Sequence, residues 1–141
     1  MPTDLVIRRA QTDAEILATF DVMAELRPHL ARDQYVARVR EQAAHGFELA
    51  AGTIDGRLLV VAGYRLTTNL VRGPHLFVDD LVTAAAEQGR GHGREIIAWL
   101  AAEARARGLA RIYLDSRLAA KGFYERVGFT MHTSIPCWID V

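Results

Sequence analysis

Gln88-Gly89-Arg90-Gly91-His92-Gly93 sets three glycines in six residues just ahead of a strongly amphipathic stretch, a spacing suited to holding a phosphate on backbone amides. Glycine lets the chain approach a ligand with no Cβ in the way. A helix start adds N–H groups that lack intrahelical acceptors, together with a partial positive charge. The expected guest is therefore an anion. A dinucleotide fingerprint, G-x-G-x-x-G, does not fit, because counting from Gly89 or Gly91 puts Arg94 or Ile96 where the third glycine belongs. A P-loop does not fit either: it needs Gly-Lys followed by Ser or Thr, and Lys121, the only lysine, precedes Gly122.

Other chemistries are excluded by what surrounds this stretch. His29, His45, His75, His92 and His132 show no metal-ligand spacing such as H-E-x-x-H, so no metal centre is expected. Cys137, the single cysteine, rules out an internal disulfide and is expected as a small buried apolar residue. Seventeen basic residues balance seventeen acidic ones, which leaves no overall field for nucleic acid or an anionic membrane. With 141 residues, 50% of them apolar, one globular domain over 1–141 is expected. Met1-Pro2-Thr3-Asp4 lacks the basic start and long apolar core of a leader, so a cytoplasmic protein is expected.

The elements that must position the glycine stretch are legible from periodicity. Leu5-Val6-Ile7 suits an opening strand. Thr12 or Asp13 caps a helix with Ile16, Leu17, Phe20, Met23 and Ala24 at helical spacing, ended by Pro28. A second helix covers Asp33 to Ala44, with Tyr35, Val36 and Val39 inward. Phe47 to Ile54 and Leu58 to Leu66 read as strands joined by Asp55-Gly56, a hairpin signal. Leu76 to Thr83 is the next strand. A helix from about Gly91 to Arg107 follows, with Ile96, Ile97, Leu100 and Ala104 in one stripe and Trp99 expected in the core. Arg111 to Asp115 is a strand, Leu118 to Arg126 a short helix, and Phe129 to Ile139 at least one final strand. The order β-α-α-β-β-β-α-β-α-β predicts a mixed α/β (α+β) fold: a mostly antiparallel sheet of six or seven strands with helices on both faces.

Gln-x-x-Gly-x-Gly, filled by Gln88, Gly91 and Gly93, resembles the pyrophosphate-binding motif of the GCN5-related N-acetyltransferase (GNAT) family. Two further segments match in order. Leu76 to Thr83 resembles the family's fourth strand, and Gly122-Phe123-Tyr124-Glu125-Arg126-Val127-Gly128-Phe129 resembles its Phe-Tyr-Glu-Lys/Arg-x-Gly-Phe helix end. The element order is also the family's, so the resemblance covers nearly the whole chain. It departs at the end, where members often have two strands and this chain has only Thr130 to Val141. The last strand is then missing, or a short pair broken around Ser134-Ile135-Pro136, or completed by a second subunit in a homodimer.

The resemblance implies acetyl-coenzyme A (acetyl-CoA) as co-substrate and direct transfer of its acetyl group to a primary amine of a small molecule or protein in a ternary complex. The pyrophosphate would rest on the backbone of Gln88, Gly89, Arg90, Gly91, His92, Gly93 and Arg94, and the pantetheine arm would pair like an added strand with Leu81, Val82 and Thr83. An N–H of Leu81 or Val82 could then bond the thioester oxygen as it gains charge. Tyr124 is expected to hydrogen-bond or protonate the departing thiolate, whose conjugate acid has a pKa of about 8.5 against about 10 for a phenol. Asp80 is expected as the base that deprotonates the amine, with Asp79, His75 and Glu25 behind it; strand alternation would let only one of the paired aspartates face the cleft. Arg117 and Lys121 could reach a coenzyme phosphate, and Arg27, His29 and Tyr35 fall where the family often contacts its acceptor. The same residues also suit a second reading, a non-catalytic acyl-CoA-binding or regulatory domain.

Overall fold

The structure is a computed structural model that describes residues 4–141; Met1 to Thr3, part of the segment read for a leader, lie outside them. Five strands form one open sheet in the order β1 (Val6–Arg9), β2 (Phe47–Ile54), β3 (Arg57–Thr67), β4 (His75–Thr83) and β5 (Ile112–Leu114). The first four are antiparallel neighbours, and β5 joins β4 in parallel through the crossover helix α4 (His92–Ala106). The β2–β3 turn has Asp55 and Gly56 both at positive φ (50° and 75°), the geometry of the favoured two-residue hairpin.

Helices cover both faces. On one side α1 (Asp13–Ala18), α2 (Phe20–Leu26) and α3 (Arg32–Ala43) bury Ile16, Met23 and Tyr35 against Phe47, Leu49 and Val61 of the sheet. On the other, α4 lays Ile96, Leu100 and Ala104 on Val60, Ala62, Leu76 and Val78. Trp99 packs at the margin of that cluster, edge-on to Tyr64. Among the described residues no helix is long and apolar enough to cross a membrane, and no group of three or more His, Cys, Asp or Glu side chains could hold a metal ion.

Three expectations are corrected. The helix expected from Thr12 to Pro28 starts at a capping box between Thr12 and Glu15 but breaks at Thr19. There the hydroxyl donates to the Ile16 carbonyl at 2.7 Å and meets the Tyr35 hydroxyl at 2.7 Å, a side chain competing with the backbone ladder. The sheet has five strands rather than six or seven, because no strand follows α5 (Lys121–Arg126) among the described residues. Its candidate, 129–139, follows α5 with no ladder to the sheet, is bent where His132 Nδ1 accepts from the Ser134 amide, and lacks a donor at Pro136. Cys137 belongs to this stretch and is therefore exposed, not buried.

Two irregularities sit beside strand glycines. The β2–β3 register shifts at Gly52/Thr53, and the β3–β4 register shifts at Gly63/Tyr64, where Gly63 faces Asp80, Tyr64 faces Val78 and Asp79 is the extra residue. A Cβ on Gly63 would come within 2.6 Å of Asp80 Oδ2 and 2.7 Å of the Phe47 ring, so any larger residue there would have to displace both side chains.

Candidate active site

Beyond β4 the chain runs through a short 3-10 turn, Ala85–Glu87, into the glycine stretch and then α4. Gln88 ties this link back by donating from Nε2 to the Thr83 carbonyl at 3.4 Å. Gly89 and Gly91 take φ of 82° and 86°, the left-handed region where glycine alone is unstrained. A Cβ on either would meet nothing within 4 Å, so the backbone there lies open to an approaching ligand. No side chain caps this end of α4, and its first-turn N–H groups have no intrahelical acceptor. Gly93 serves differently: a Cβ on it would lie 3.1 Å from the Phe123 ring, so glycine lets α4 pack close to α5.

These glycines floor a cavity of about 480 Å³ walled by Leu81 and Thr83 of β4, by His92 and Arg94 of α4, and by Tyr124 of α5. Val82 instead packs into the core on the other face. Arg90 turns aside to pair with Glu87 at 3.2 Å, and Arg94 donates to the Arg126 carbonyl at 3.3 Å. Glu87 was not legible as a site residue. Its side chain is 8% exposed beneath the cradle, where Arg57 from β3 also reaches it at 3.0 Å and His92 Nε2 lies 3.8 Å away. Arg57 is distant in sequence, so no local pattern announces the cluster. His92 is buried as well, with neither ring nitrogen hydrogen-bonded among the described residues.

The strand beside the cavity has a free edge. β4 pairs with β5 only from Leu76–Ile112 to Val78–Leu114, whereas it pairs with β3 as far as Thr83. Asp79 to Thr83 thus have no strand partner on the β5 side among the described residues, although the Arg27 and Gln88 side chains hold the Asp79 and Thr83 carbonyls; the stretch between can receive an amide-bearing chain.

Asp80 and Leu81, adjacent in that strand, look into different cavities. Asp80 lines a cleft of about 460 Å³ on the α1–α3 face, together with Arg27, His29 and Tyr35. The expectation that only one aspartate faces this cleft is corrected: the extra residue at Asp79 turns both carboxylates to the same side. Arg27 Nε donates to Asp80 Oδ1 at 2.8 Å and its Nη2 to the Asp79 carbonyl at 3.0 Å, while Arg65 Nε holds Asp79 Oδ2 at 2.7 Å. Burial pushes the Asp80 carboxyl above the usual carboxylate range; the Arg27 hydrogen bond and charge pull the other way, and Asp79 adds to the push. The remaining base candidates lie elsewhere. His75 is buried at the far end of β4 with Nδ1 2.7 Å from the Gly73 carbonyl, and exposed Glu25 accepts from the Ala85 amide.

Tyr124 stands edge-on between Phe123 and Phe129, with centroids 5.1 and 5.5 Å away. Burial raises its phenol above the ordinary value and Arg117 partly offsets this, so the ring carries its proton at neutral pH. Lys121 begins the same helix.

Known proteins share the fold and the family pattern. The acetyltransferase (GNAT) family model matches residues 14–129. Glucosamine 6-phosphate N-acetyltransferase 1 of Oryza sativa subsp. japonica is 31% identical over 108 residues, covering 72% of this chain and 66% of that protein, so the chain spans about two thirds of its length. An uncharacterized N-acetyltransferase of Bacillus subtilis (strain 168), YhdJ, is 27% identical over 135 residues, 90% of this chain and 93% of that one. Among solved structures, AAC(6')-Iy in complex with the bisubstrate analog CoA-S-monomethyl-acetylneamine has the same fold, with a TM-score of 0.84 at 16% identity over 99% of both chains.

Proposed function

The chain belongs to the acetyltransferase (GNAT) family, and from that premise we propose that it moves the acetyl group of acetyl-CoA directly onto a primary amine bound beside Asp80. The observation that carries this reading is the double use of β4, whose free edge and glycine cradle adjoin the Tyr124 cavity while Asp80 opens into the second cleft. The names of the rice protein and of the solved aminoglycoside enzyme support amines as acceptors.

In this mechanism the backbone from Gln88 to Arg94 binds the pyrophosphate, with the helix start contributing fixed positive potential. The edge of Leu81, Val82 and Thr83 aligns the pantetheine arm, and a strand N–H bonds the thioester oxygen as charge develops. Amines with a pKa of about 10.4 arrive protonated, and Asp80 takes that proton, directly or through water, before the nitrogen attacks the carbonyl carbon. As the carbon–sulfur bond breaks, the Tyr124 hydroxyl donates to the departing thiolate.

Coenzyme A release measured across a panel of amines tests the proposal; coenzyme binding without release for any amine would favour the non-catalytic reading. Gly91→Val is a sharper probe of the cradle. A branched side chain at φ 86° is strained, and its methyls would occupy the open space above the backbone, so the coenzyme dissociation constant is expected to rise by about tenfold or more. Calorimetric titration with coenzyme A reads this directly, and an unchanged constant would move the pyrophosphate elsewhere.

A homodimer is part of the proposal. Ile135, Trp138, Ile139 and Val141 are all more than four-fifths exposed beyond α5, next to a sheet whose β5 edge is unpaired among the described residues. Sedimentation velocity is expected to give twice the chain mass; a monomer at micromolar concentration would exclude it.

A further inference from the structure

The charges in the Asp80 cleft do not balance. Three guanidinium groups, on Arg27, Arg38 and Arg65, line it with two carboxylates. Arg27 is committed to Asp80 and Arg65 to Asp79 and Gln42. Arg38, exposed on α3, makes no ion pair or hydrogen bond among the described residues, although Glu41 lies three positions along the same helix. It belongs to the stripe of α3 that faces the cleft, Tyr35, Arg38, Val39 and Gln42, and its Cα sits about 4.5 Å further along the axis than that of Tyr35. Asp80 is engaged on one oxygen only among the described residues: Arg27 takes Oδ1, and Oδ2 lies over Gly63 with no donor among them. One end of the cleft therefore offers an acceptor for an ammonium proton, and the helical wall offers an unmatched cation.

We propose that the acceptor is a primary amine that also carries an anionic group, a carboxylate or a phosphate, with its nitrogen at Asp80 Oδ2 and its anion at the Arg38 guanidinium. This rests on the acetyl-transfer reading above and narrows its substrate class. A guanidinium pairs with either anion through parallel N–H bonds, and a polycationic amine would meet surplus positive charge in the same place. Because the whole chain is neutral at pH 7 by residue count, this selectivity is local and not a long-range field.

The test uses matched acceptors: glucosamine with glucosamine 6-phosphate, and ethanolamine with O-phosphoethanolamine and β-alanine. The anionic members are expected to exceed their neutral partners in kcat/KM by about tenfold or more, and the ratio to shrink at high salt because Arg38 is exposed. The third member of the ethanolamine set separates phosphate from carboxylate. Arg38→Gln is expected to collapse the anionic-to-neutral ratio through KM, and Arg38→Lys to retain only the part carried by charge, because the paired N–H bonds are lost. Neutral amines used as well as anionic ones, or a ratio unchanged in Arg38→Gln, would overturn the proposal. Calorimetry of the same amines against the protein saturated with coenzyme A separates the two claims. Selective binding of anionic amines without turnover would keep the acceptor class and sink acetyl transfer, whereas unselective binding would sink the class whatever the rate.

Discussion

Asp80→Asn is expected to lower kcat/KM for a primary amine by about a hundredfold, the scale of a general base removed from a proton-transfer step. The replacement is nearly isosteric and keeps an oxygen to accept from Arg27 Nε, so the cleft retains its shape while losing the group that accepts the ammonium proton. The pH dependence separates chemistry from packing. Burial raises the Asp80 carboxyl in the folded protein, so the acidic limb of the wild-type profile is expected above the ordinary carboxylate value of about 3.9, and the variant is expected to lose that limb. The linkage sign follows from the same shift. A carboxyl with a raised folded pKa contributes stability that is fully present below its unfolded pKa and lost as pH rises through the folded one. Ionising Asp80 therefore costs stability, and Asp80→Asn is expected to melt no lower than wild type while turning over far more slowly. A variant with the wild-type rate and an unchanged acidic limb would remove Asp80 as the base.

Tyr124→Phe is expected to reduce kcat by at least about tenfold with little change in coenzyme affinity or melting temperature. Phenylalanine preserves the edge-on contacts with Phe123 and Phe129 and deletes only the hydroxyl of a residue that lines the cradle cavity. Since burial holds the phenol above about 10, the hydroxyl remains a donor across the working pH range, as support of a departing thiolate requires. Single-turnover measurement with saturating acetyl-CoA isolates the step. Wild-type turnover in the variant would leave Tyr124 as a packing residue alone.

Local patterns in the chain were enough to read most of the scaffold. The Asp55-Gly56 hairpin, the α4 stripe and the glycine cradle all depend on neighbours within a few residues, and each lies where its pattern places it. What escaped depends on distant partners. Thr19 breaks a helix because Tyr35, sixteen positions away, is there to share its hydroxyl. The Glu87 cluster requires Arg57 from another strand, and Arg38, Gln42 and Arg65 enter the cleft only once α3 packs on the sheet. The bulge that turns Asp79 and Asp80 together did leave a sign. Gly63 interrupts an otherwise apolar run, and a lone glycine inside a strand marks such a defect, but nothing local says which partner strand carries the extra residue. The missing final strand is the converse case: Phe129 to Ile139 has suitable residues, but a strand also needs a partner, and none pairs with it among the described residues.

Asp80 and Leu81 open onto opposite flanks of one sheet, so in the proposed reaction donor and acceptor would reach the end of β4 from different sides. Under that reading donor and acceptor would come and go by separate doors, and either could load first. Spent coenzyme should accordingly inhibit without competing against the amine, a pattern that steady-state product inhibition reveals.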